Sequence, residues 1–311
     1  MKKAIIVGCN GQDGKLLSSF LLKKDYQIVG IGKNRTVAPD GFPVGPVDIK
    51  NTQEVFGLIK ELKPDEIYYL AAFHHSSQAN PVDDIDLYKQ SFDIHVFALV
   101  NFLEGIKQFS PRTRIFYAAS SHIFGEPEKG IQNEDTAINP ICVYGITKAA
   151  GLFACHLYRN NYSIFASAGI LYNHESLFRR EEFISKKIIT AAINIKRKKQ
   201  EELVLGDLNA EIDWGWAPDY VDAMHRINNA QKADDFIVAT GKKHKVKDFV
   251  KTAFDYLGLD WKRYVRQDSS IITKKNYCRI GNPQKLMDKT GWKPSVDFRE
   301  MIRLLLIEEG V

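Results

Sequence analysis

The first fourteen residues constrain the fold more than any other stretch of the chain. Ala4-Ile5-Ile6-Val7 is a short apolar run that meets Gly8 and is followed by Gly11 and Gly14. Residues 4–9 read as a buried strand, and Leu16, Leu17, Phe20 and Leu21 then follow helical spacing. A strand, a tight turn and a helix in immediate succession open a parallel α/β unit. The turn itself, Gly8-Cys9-Asn10-Gly11-Gln12-Asp13-Gly14, is one residue wider than the plain dinucleotide fingerprint. Glycines at this spacing let backbone amides approach a pyrophosphate, and the helix N-terminus adds partial positive charge. Gly8, Gly11, Gln12, Asp13 and Gly14 are therefore candidate cofactor contacts.

The alternation continues through the first half. Residues 26–31, 66–72, 114–120 and 165–171 read as strands, 46–49 as a short third strand end, and 53–62 and 93–108 as helices. This pattern predicts a Rossmann-type, doubly wound parallel sheet. The second half is less regular, with helices over 183–198, 246–257 and 298–308 and strands over 203–205 and 236–239. We expect a dinucleotide-binding domain over 1–170, with returns near 213–221 and 235–241, and a smaller α/β substrate domain over 171–311.

The end of the second strand bears on which dinucleotide is bound. With NAD a carboxylate there usually bonds the ribose hydroxyls. Gly30-Ile31-Gly32-Lys33-Asn34-Arg35 carries no acid and two cations. Lys33 and Arg35 would receive a 2′-phosphate, which points to NADP, with NAD still possible.

Tyr144 and Lys148 stand one helical turn apart on one face. A phenol is a poor base at neutral pH, its unperturbed pKa being about 10. A neighbouring ammonium and a cationic nicotinamide would stabilise the phenolate and lower that value. Tyr144 could then move a proton on a sugar hydroxyl while hydride moves to or from the cofactor, and Lys148 could also bond the nicotinamide ribose. Ser120 and Ser121 end the fifth strand, at the edge where open parallel sheets bind ligands. A hydroxyl there can donate to the oxygen of the carbon being oxidised.

Composition removes several other functions. The chain has 311 residues, 44% of them hydrophobic and 26% charged, with a net charge of +5. That mild charge suits an anionic small ligand. The densest basic run, Lys196-Arg197-Lys198-Lys199, has no interleaved aromatics and reads as a solvated face, so neither nucleic acid nor membrane is an expected partner. The four cysteines form no Cys-x-x-Cys pair. His74, His75, His95 and His122 fall on separate elements, so no metal is expected. The apolar run at 4–7 is too short for a signal core, and the expected location is cytoplasmic.

Together these residues resemble the extended short-chain dehydrogenase/reductases, and within them the GDP-mannose 4,6-dehydratases. The likeness covers most of the chain. It runs from Gly8–Gly14 through Leu70-Ala71-Ala72, Tyr144 to Lys148 and Asn173-His174-Glu175-Ser176. It continues in Phe183-Ile184-Ser185-Lys186-Lys187, Asp213-Trp214-Gly215, Asp219-Tyr220-Val221 and Gly291-Trp292-Lys293-Pro294. The resemblance implies a lyase or oxidoreductase of carbohydrate biosynthesis that oxidises C4 of a nucleotide-linked sugar, a GDP-sugar first. It also implies that Asp48 and Ile49 hold the adenine and that Leu70, Ala71 and Ala72 line the cofactor channel. His174 and Arg179 would contact the cofactor, and Asn173 and Lys187 would lie near the nucleotide diphosphate. Ser121 would lie with the substrate.

Departures from the family pattern carry information too. Ser120-Ser121-His122 stands where the family has Thr-x-Glu, whose glutamate removes the C5 proton and expels water from C6. His122 is the replacement base, since neutral imidazole can act near pH 7. The alternative is a 4-dehydrogenase, 4-keto reductase or epimerase that does not dehydrate. A non-catalytic dinucleotide sensor is the alternative of another class. Ile212 replaces an arginine before Asp-Trp-Gly, and Thr273-Lys274-Lys275-Asn276 stands near a missing Arg-Pro-x-Glu. The loop over 36–45 is short and has one charge, Asp40, so the family's tetramer contact is not expected. A homodimer through helices near 93–108 and 145–159 is expected instead.

Overall fold

The computed structural model describes residues 1–33, 36–37, 46–73, 83–127, 130–268, 270 and 278–310. Arg35, most of the 36–45 loop, His74, His75 and the 273–276 segment lie outside the described residues.

The first half contains β1 (Lys3–Val7), α1 (Gln12–Leu22), β2 (Gln27–Ile31), β3 (Thr36–Val37), α2 (Thr52–Leu62), β4 (Glu66–Tyr69), α3 (Asp84–Phe92), α4 (Ala98–Phe109), β5 (Arg114–Ser120), α5 (Val143–Tyr162) and β6 (Ala166–Leu171). The second half follows with β7 (Asn173–Glu175), α6 (Ile184–Lys196), β8 (Leu203–Leu205), β9 (Glu211–Trp216), α7 (Ala217–Asn228), β10 (Asp235–Val238), β11 (Lys243–Lys245), α8 (Val246–Tyr256), α9 (Trp261–Tyr264), β12 (Val265–Gln267), α10 (Gln284–Thr290) and α11 (Phe298–Glu308).

A seven-stranded sheet in the order β10-β6-β5-β4-β1-β2-β3 forms the centre. Every neighbouring pair is parallel except β2 with β3. Alternation along β1 sends Ile5 and Val7 into one layer with Leu58, Leu99, Phe102 and Leu152 of α2, α4 and α5. Ala4 and Ile6 face the other layer, with Leu17 and Leu21 of α1 and Tyr220, Met224 and Ile227 of α7. A sheet covered on both faces needs apolar residues at every position of its central strands, and β4, β5 and β6 are buried almost throughout. A third apolar cluster joins α6, α8 and α11 to Trp214 and Trp216 of β9. There β9 lies between β11 and β7.

Chain order reverses across β1, whose neighbours are β2 on one side and β4 on the other. Such a switch point opens a crevice beyond the strand ends. The glycine turn leaves β1 there, and the site is built along the same edge.

Several sequence expectations need correction. Residues 46–49 form no strand. Val47 and Ile49 do pack on the core, but the backbone turns into α2, held by an Asp48 N–H to Glu54 hydrogen bond of 2.7 Å. The strand expected over 66–72 ends at Tyr69, because Leu70 leaves toward the glycine turn. The helix expected over 93–108 starts as a π-helical turn, Asp93–Phe97, before α4. The preceding α3 carried no readable pattern, since Ser91 is its one buried residue.

Candidate active site

The glycine turn is shaped by contacts that only glycine permits at two positions. Gly8 has φ +94°, and a Cβ there would fall 2.9 Å from Ala71 N. A Cβ on Gly14 would come within 2.3 Å of the Gly8 carbonyl. These two glycines are required by the packing of turn, helix and strand. A Cβ on Gly11 would meet a single neighbouring atom within 4 Å, the Gly8 carbonyl at 3.3 Å. Its backbone is ordinary, with φ −72°. Packing therefore demands glycine less strongly at this position than at the other two. No side chain caps α1 at Gly11, whereas Asn51 caps α2, Asp83 caps α3 and Asp297 caps α11. An uncapped helix start behind a glycine turn leaves N–H donors for an outside anion. This donor set fits a dinucleotide pyrophosphate.

Leu70 and Ala71 border the turn directly, through the Leu70 N–H to Val7 carbonyl bond of 2.8 Å and the close approach to Gly8. Ala72 follows them. The amides of Gly8 and Cys9 donate to the Ile31 carbonyl, so exposed Lys33 stands two residues from the turn. The Asp48 N–H donates to Glu54, the Asp48 carboxylate accepts from the Lys50 N–H, and the Ile49 carbonyl accepts from Asn101.

Ser120 ends β5 and accepts a hydrogen bond from the His122 N–H at 3.3 Å. Its hydroxyl is near enough to Tyr144 to favour the phenolate slightly. Ser121, buried, begins a short 3₁₀ turn, Ser121–Phe124. Gly145 lets the start of α5 pack on that turn, since a Cβ would lie 2.5 Å from the His122 carbonyl. Lys148, one turn along α5, is 1% exposed and donates to the Ala118 carbonyl at 2.7 Å. Its Nζ lies 5.7 Å from the centre of the Tyr144 ring. Ser120, Tyr144 and Lys148 thus converge.

Their ionisation differs from the sequence expectation. Burial pushes the Tyr144 phenol up to about 12, against a smaller lowering by Arg179. Burial also pulls Lys148 down to about 7, against a small raising by Asp13. Burial therefore outweighs the lowering by Arg179 and Ser120, and the phenol lies above its usual value.

His122 sits between two side chains. Arg279 Nη2 approaches its Nε2 at 3.5 Å, and Cys142 Sγ lies 3.8 Å from its Nδ1. Guanidinium only donates, so Nε2 is the acceptor and the ring carries its lone pair toward Arg279. His95 flanks Tyr144 from the other side, its ring edge-on at 5.3 Å. The Phe73 N–H donates to His95 Nε2 at 2.9 Å, which leaves the proton on Nδ1 to donate to Thr147 Oγ1 at 2.7 Å. His95 is fully buried in the π-helical turn, a distortion common at functional sites.

The motif 173–176 clamps α1. Gln12 donates to the His174 carbonyl at 3.1 Å, and Ser176 donates to Gln12 at 3.0 Å. His174 Nε2 faces both Asp13 oxygens at 3.0 and 3.1 Å, while Nδ1 donates to the Tyr172 carbonyl at 2.7 Å. Both ring nitrogens therefore face acceptors, the pattern of an imidazolium. Burial opposes its charge, but Asp13 outweighs burial and raises the His174 pKa. Burial likewise pushes Asp13 up, and His174 outweighs it, so the carboxyl lies below its usual range. Arg179 stacks on Phe183 at 3.6 Å, with its Nε 3.2 Å from Glu175. That pair is an electrostatic approach, since Nε makes no well-directed hydrogen bond. His174 and Arg179 are thus held by Asp13 and Glu175. Asn173 is exposed, and Lys187 on α6 has no ion-pair partner among the described residues.

Sequence reading gave no role here to His95, Cys142, Glu175 or Arg279. Arg279 is brought to His122 across 157 positions of chain, which no local pattern encodes. Among the described residues no group of three or more His, Cys, Asp or Glu side chains converges.

With this geometry in view, comparison with known proteins is informative. The model of the family described as GDP-mannose 4,6 dehydratase matches residues 5–305. The chain belongs to the GDP-mannose 4,6-dehydratase family. It is 34% identical over 329 residues to "GDP-mannose 4,6 dehydratase 2" of Arabidopsis thaliana, covering 99% of this chain and 87% of that protein. It is 31% identical to "GDP-mannose 4,6 dehydratase 1" of the same plant, covering 99% and 90%. Among solved structures, RMD from Pseudomonas aeruginosa complexed with NADPH superposes with a TM-score of 0.84 at 19% identity, covering 99% of this chain and 98% of that one. That likeness shows the shared Rossmann-type α/β fold.

Within the GDP-mannose 4,6-dehydratase family, the signature residues divide by role. Asp213 accepts hydrogen bonds from Thr240, Gly241 and Gly281, and Asp219 accepts from Ser295 and Val296. Trp292 donates to the Asp219 carbonyl at 2.8 Å. The Asp-Trp-Gly, Asp-Tyr-Val and Gly-Trp-Lys-Pro motifs therefore pin the second half of the chain together. The departure at His122 falls instead beside Tyr144.

Proposed function

We propose that this chain oxidises C4 of a nucleotide-linked sugar, with GDP as the first carrier to test and NADP as the cofactor. The supporting observation is the convergence of Ser120, Tyr144 and Lys148 at the end of β5, on the edge that carries the glycine turn. The NADP reading is supported by Lys33, by the absence of an acid after β2, and by the NADPH in the Pseudomonas aeruginosa structure. Gly8, Gly11 and Gly14 with the α1 amides would hold the pyrophosphate. When bound, the nicotinamide supplies a hydride acceptor and a positive charge.

Tyr144 would receive the proton of the C4 hydroxyl, and Ser120 would bond the same oxygen. Lys148 would hold the ribose and stabilise the phenolate. His174 and Asp13, paired to each other, would set the entrance to the turn, with Arg179 beside them. Ser121, Asn173 and Lys187 would face the sugar nucleotide.

Whether water is lost divides two readings. Family membership supports 4,6-dehydration, with His122 as the base. A specific observation supports oxidation, reduction or epimerisation without dehydration. Both His122 nitrogens face side chains, Nε2 toward Arg279 at 3.5 Å and Nδ1 toward Cys142 at 3.8 Å. Incubating the protein with NADP⁺ and GDP-mannose, and weighing the product, separates them. A product lighter by one water supports dehydration. A product lighter by a pair of hydrogens, or an epimer of unchanged mass, supports redox chemistry alone. Substrate recovered without exchange at C4 or C5 counts against both.

A homodimer is part of the same proposal. Phe97, Phe153, Leu157 and Tyr162 are 61%, 52%, 51% and 46% exposed. They lie on the elements spanning 93–108 and 145–162, and exposed apolar groups of this size favour a partner surface. The proposed division at residue 170 is supported by the separate apolar cluster of α6, α8 and α11. Among the described residues no helix is long and apolar enough to cross a membrane, and a cytoplasmic location remains our reading.

A further inference from the structure

Arg279 borders the end of β5 and takes no part in the proton transfer described above. Its Nη1 donates to the Gly125 carbonyl at 2.9 Å, and its Nη2 faces His122 Nε2 at 3.5 Å. Both anchors belong to the turn that follows Ser120. The side chain is half-buried, and among the described residues no carboxylate lies within ion-pair distance of it. Its ionisable neighbours, Cys142, Tyr172 and Cys278, are thiols and a phenol rather than carboxylates. Burial lowers the Arg279 pKa, but a guanidinium does not lose its proton in a protein. Among the described residues, Arg279 is thus an oriented, partly desolvated cation whose hydrogen-bond partners are a carbonyl and an imidazole. Desolvating a charge is costly unless a partner arrives.

His122, where the family pattern has a glutamate, brings no carboxylate to this cation. Location decides which anion fits. Arg279 is attached to the 3₁₀ turn beside Ser120 and Tyr144, where the reacting carbon would lie. The cofactor's pyrophosphate would have its donors at α1, and the sugar nucleotide's diphosphate would have Lys187.

We propose that Arg279 binds a carboxylate carried by the sugar, so that the substrate is a nucleotide-linked hexuronic acid. This deepens the C4-oxidation reading, on which it rests, and takes its branch without water loss. A guanidinium fork matches a carboxylate in a way an ammonium cannot. A sugar with a carboxylate at C6 has no C6 hydroxyl to expel, so no eliminating glutamate is needed at position 122.

Titration calorimetry of the protein in excess NADP⁺ tests this with two pairs of ligands. They are GDP-mannuronate against GDP-mannose, and UDP-glucuronate against UDP-glucose. Within at least one pair the acid should bind about 10- to 100-fold more tightly, the scale of a charged hydrogen-bonded contact. Arg279→Leu should bring that ratio near unity while leaving affinity for the neutral sugar unchanged. Arg279→Lys, which keeps the charge and loses the fork, should give an intermediate ratio, and it serves as the test if the leucine variant does not fold. Equal binding of acid and neutral sugars overturns the proposal alone. So does a leucine variant that weakens acid, neutral sugar and bare nucleotide diphosphate alike, which would place Arg279 on the diphosphate. Failure of all four ligands to bind overturns the nucleotide-sugar reading and this proposal with it.

Discussion

Two charged regions border the same edge of the central sheet, and they are balanced differently. At the start of α1, His174 is paired with Asp13, and Arg179 lies against Glu175. At the end of β5, Lys148 is bonded to a carbonyl and Arg279 to a carbonyl and an imidazole, with no carboxylate bonded to either among the described residues. The first region has matched its charges within the protein and holds α1 to β7. The second keeps its cations for something that arrives. Electrostatic groups that are uncompensated in the folded chain are the better guide to chemistry.

The sharpest way to break this contrast is to remove one member from each side. Lys148→Met should lower turnover by about 10²- to 10⁴-fold, the usual contribution of a positioned acid–base group. The same variant should raise the urea midpoint, because a fully buried lysine is replaced by an apolar chain of similar length. A lower midpoint would mean that Lys148 is compensated after all. Asp13→Ala should do the opposite, costing about 3 kcal/mol of stability by leaving a buried imidazolium alone. Equilibrium unfolding measures both.

The two regions should also respond oppositely to pH. His174 has its pKa raised, so its contribution is fully present below about 6.5, the unfolded value. It is lost as pH rises through the folded value. Lys148 has its pKa lowered to about 7, so between about 7 and about 10.4 the unfolded chain binds the extra proton and stability rises with pH. Each slope is at most about 1.4 kcal/mol per pH unit. His174→Gln should remove the falling slope and Lys148→Met the rising one, as read from unfolding midpoints across pH 6–10. Unaltered slopes in either variant would remove that residue from the comparison.

A smaller effect separates the helix starts. Asn51→Ala should cost about 1 kcal/mol, as loss of a cap does. Gly11→Asn, which gives α1 the cap it lacks, should weaken NADP binding in a fluorescence titration without lowering the melting temperature. Tighter binding would mean that the α1 amides are not the pyrophosphate donors.

Much of this was legible where the signal is local. The strand, turn and helix of 3–22 and the Tyr144–Lys148 spacing are written within single elements, and β5 and α11 fall where the apolar pattern puts them. Legibility failed where a long-range contact decides. Val47 and Ile49 are apolar because they pack on the core, not because they extend as a strand. Ser91 is the one buried residue of α3, so the helix has no apolar periodicity to read. At the site, Ser120, Tyr144 and Lys148 could be named in advance. The pairing of His174 with Asp13 and the approach of Arg279 to His122 could not, since each joins residues more than 150 positions apart.

The most direct test of the proton-transfer set is a single-turnover experiment with Tyr144→Phe. Protein, NADP⁺ and the sugar nucleotide that binds best are mixed rapidly, and reduced nicotinamide is followed by its absorbance. Wild type should show a rise in reduced cofactor, transient or lasting, while Tyr144→Phe binds NADP⁺ with unchanged affinity and shows none. A variant that reduces the cofactor at the wild-type rate would contradict the assignment of Tyr144, and with it the role of Lys148 and Ser120.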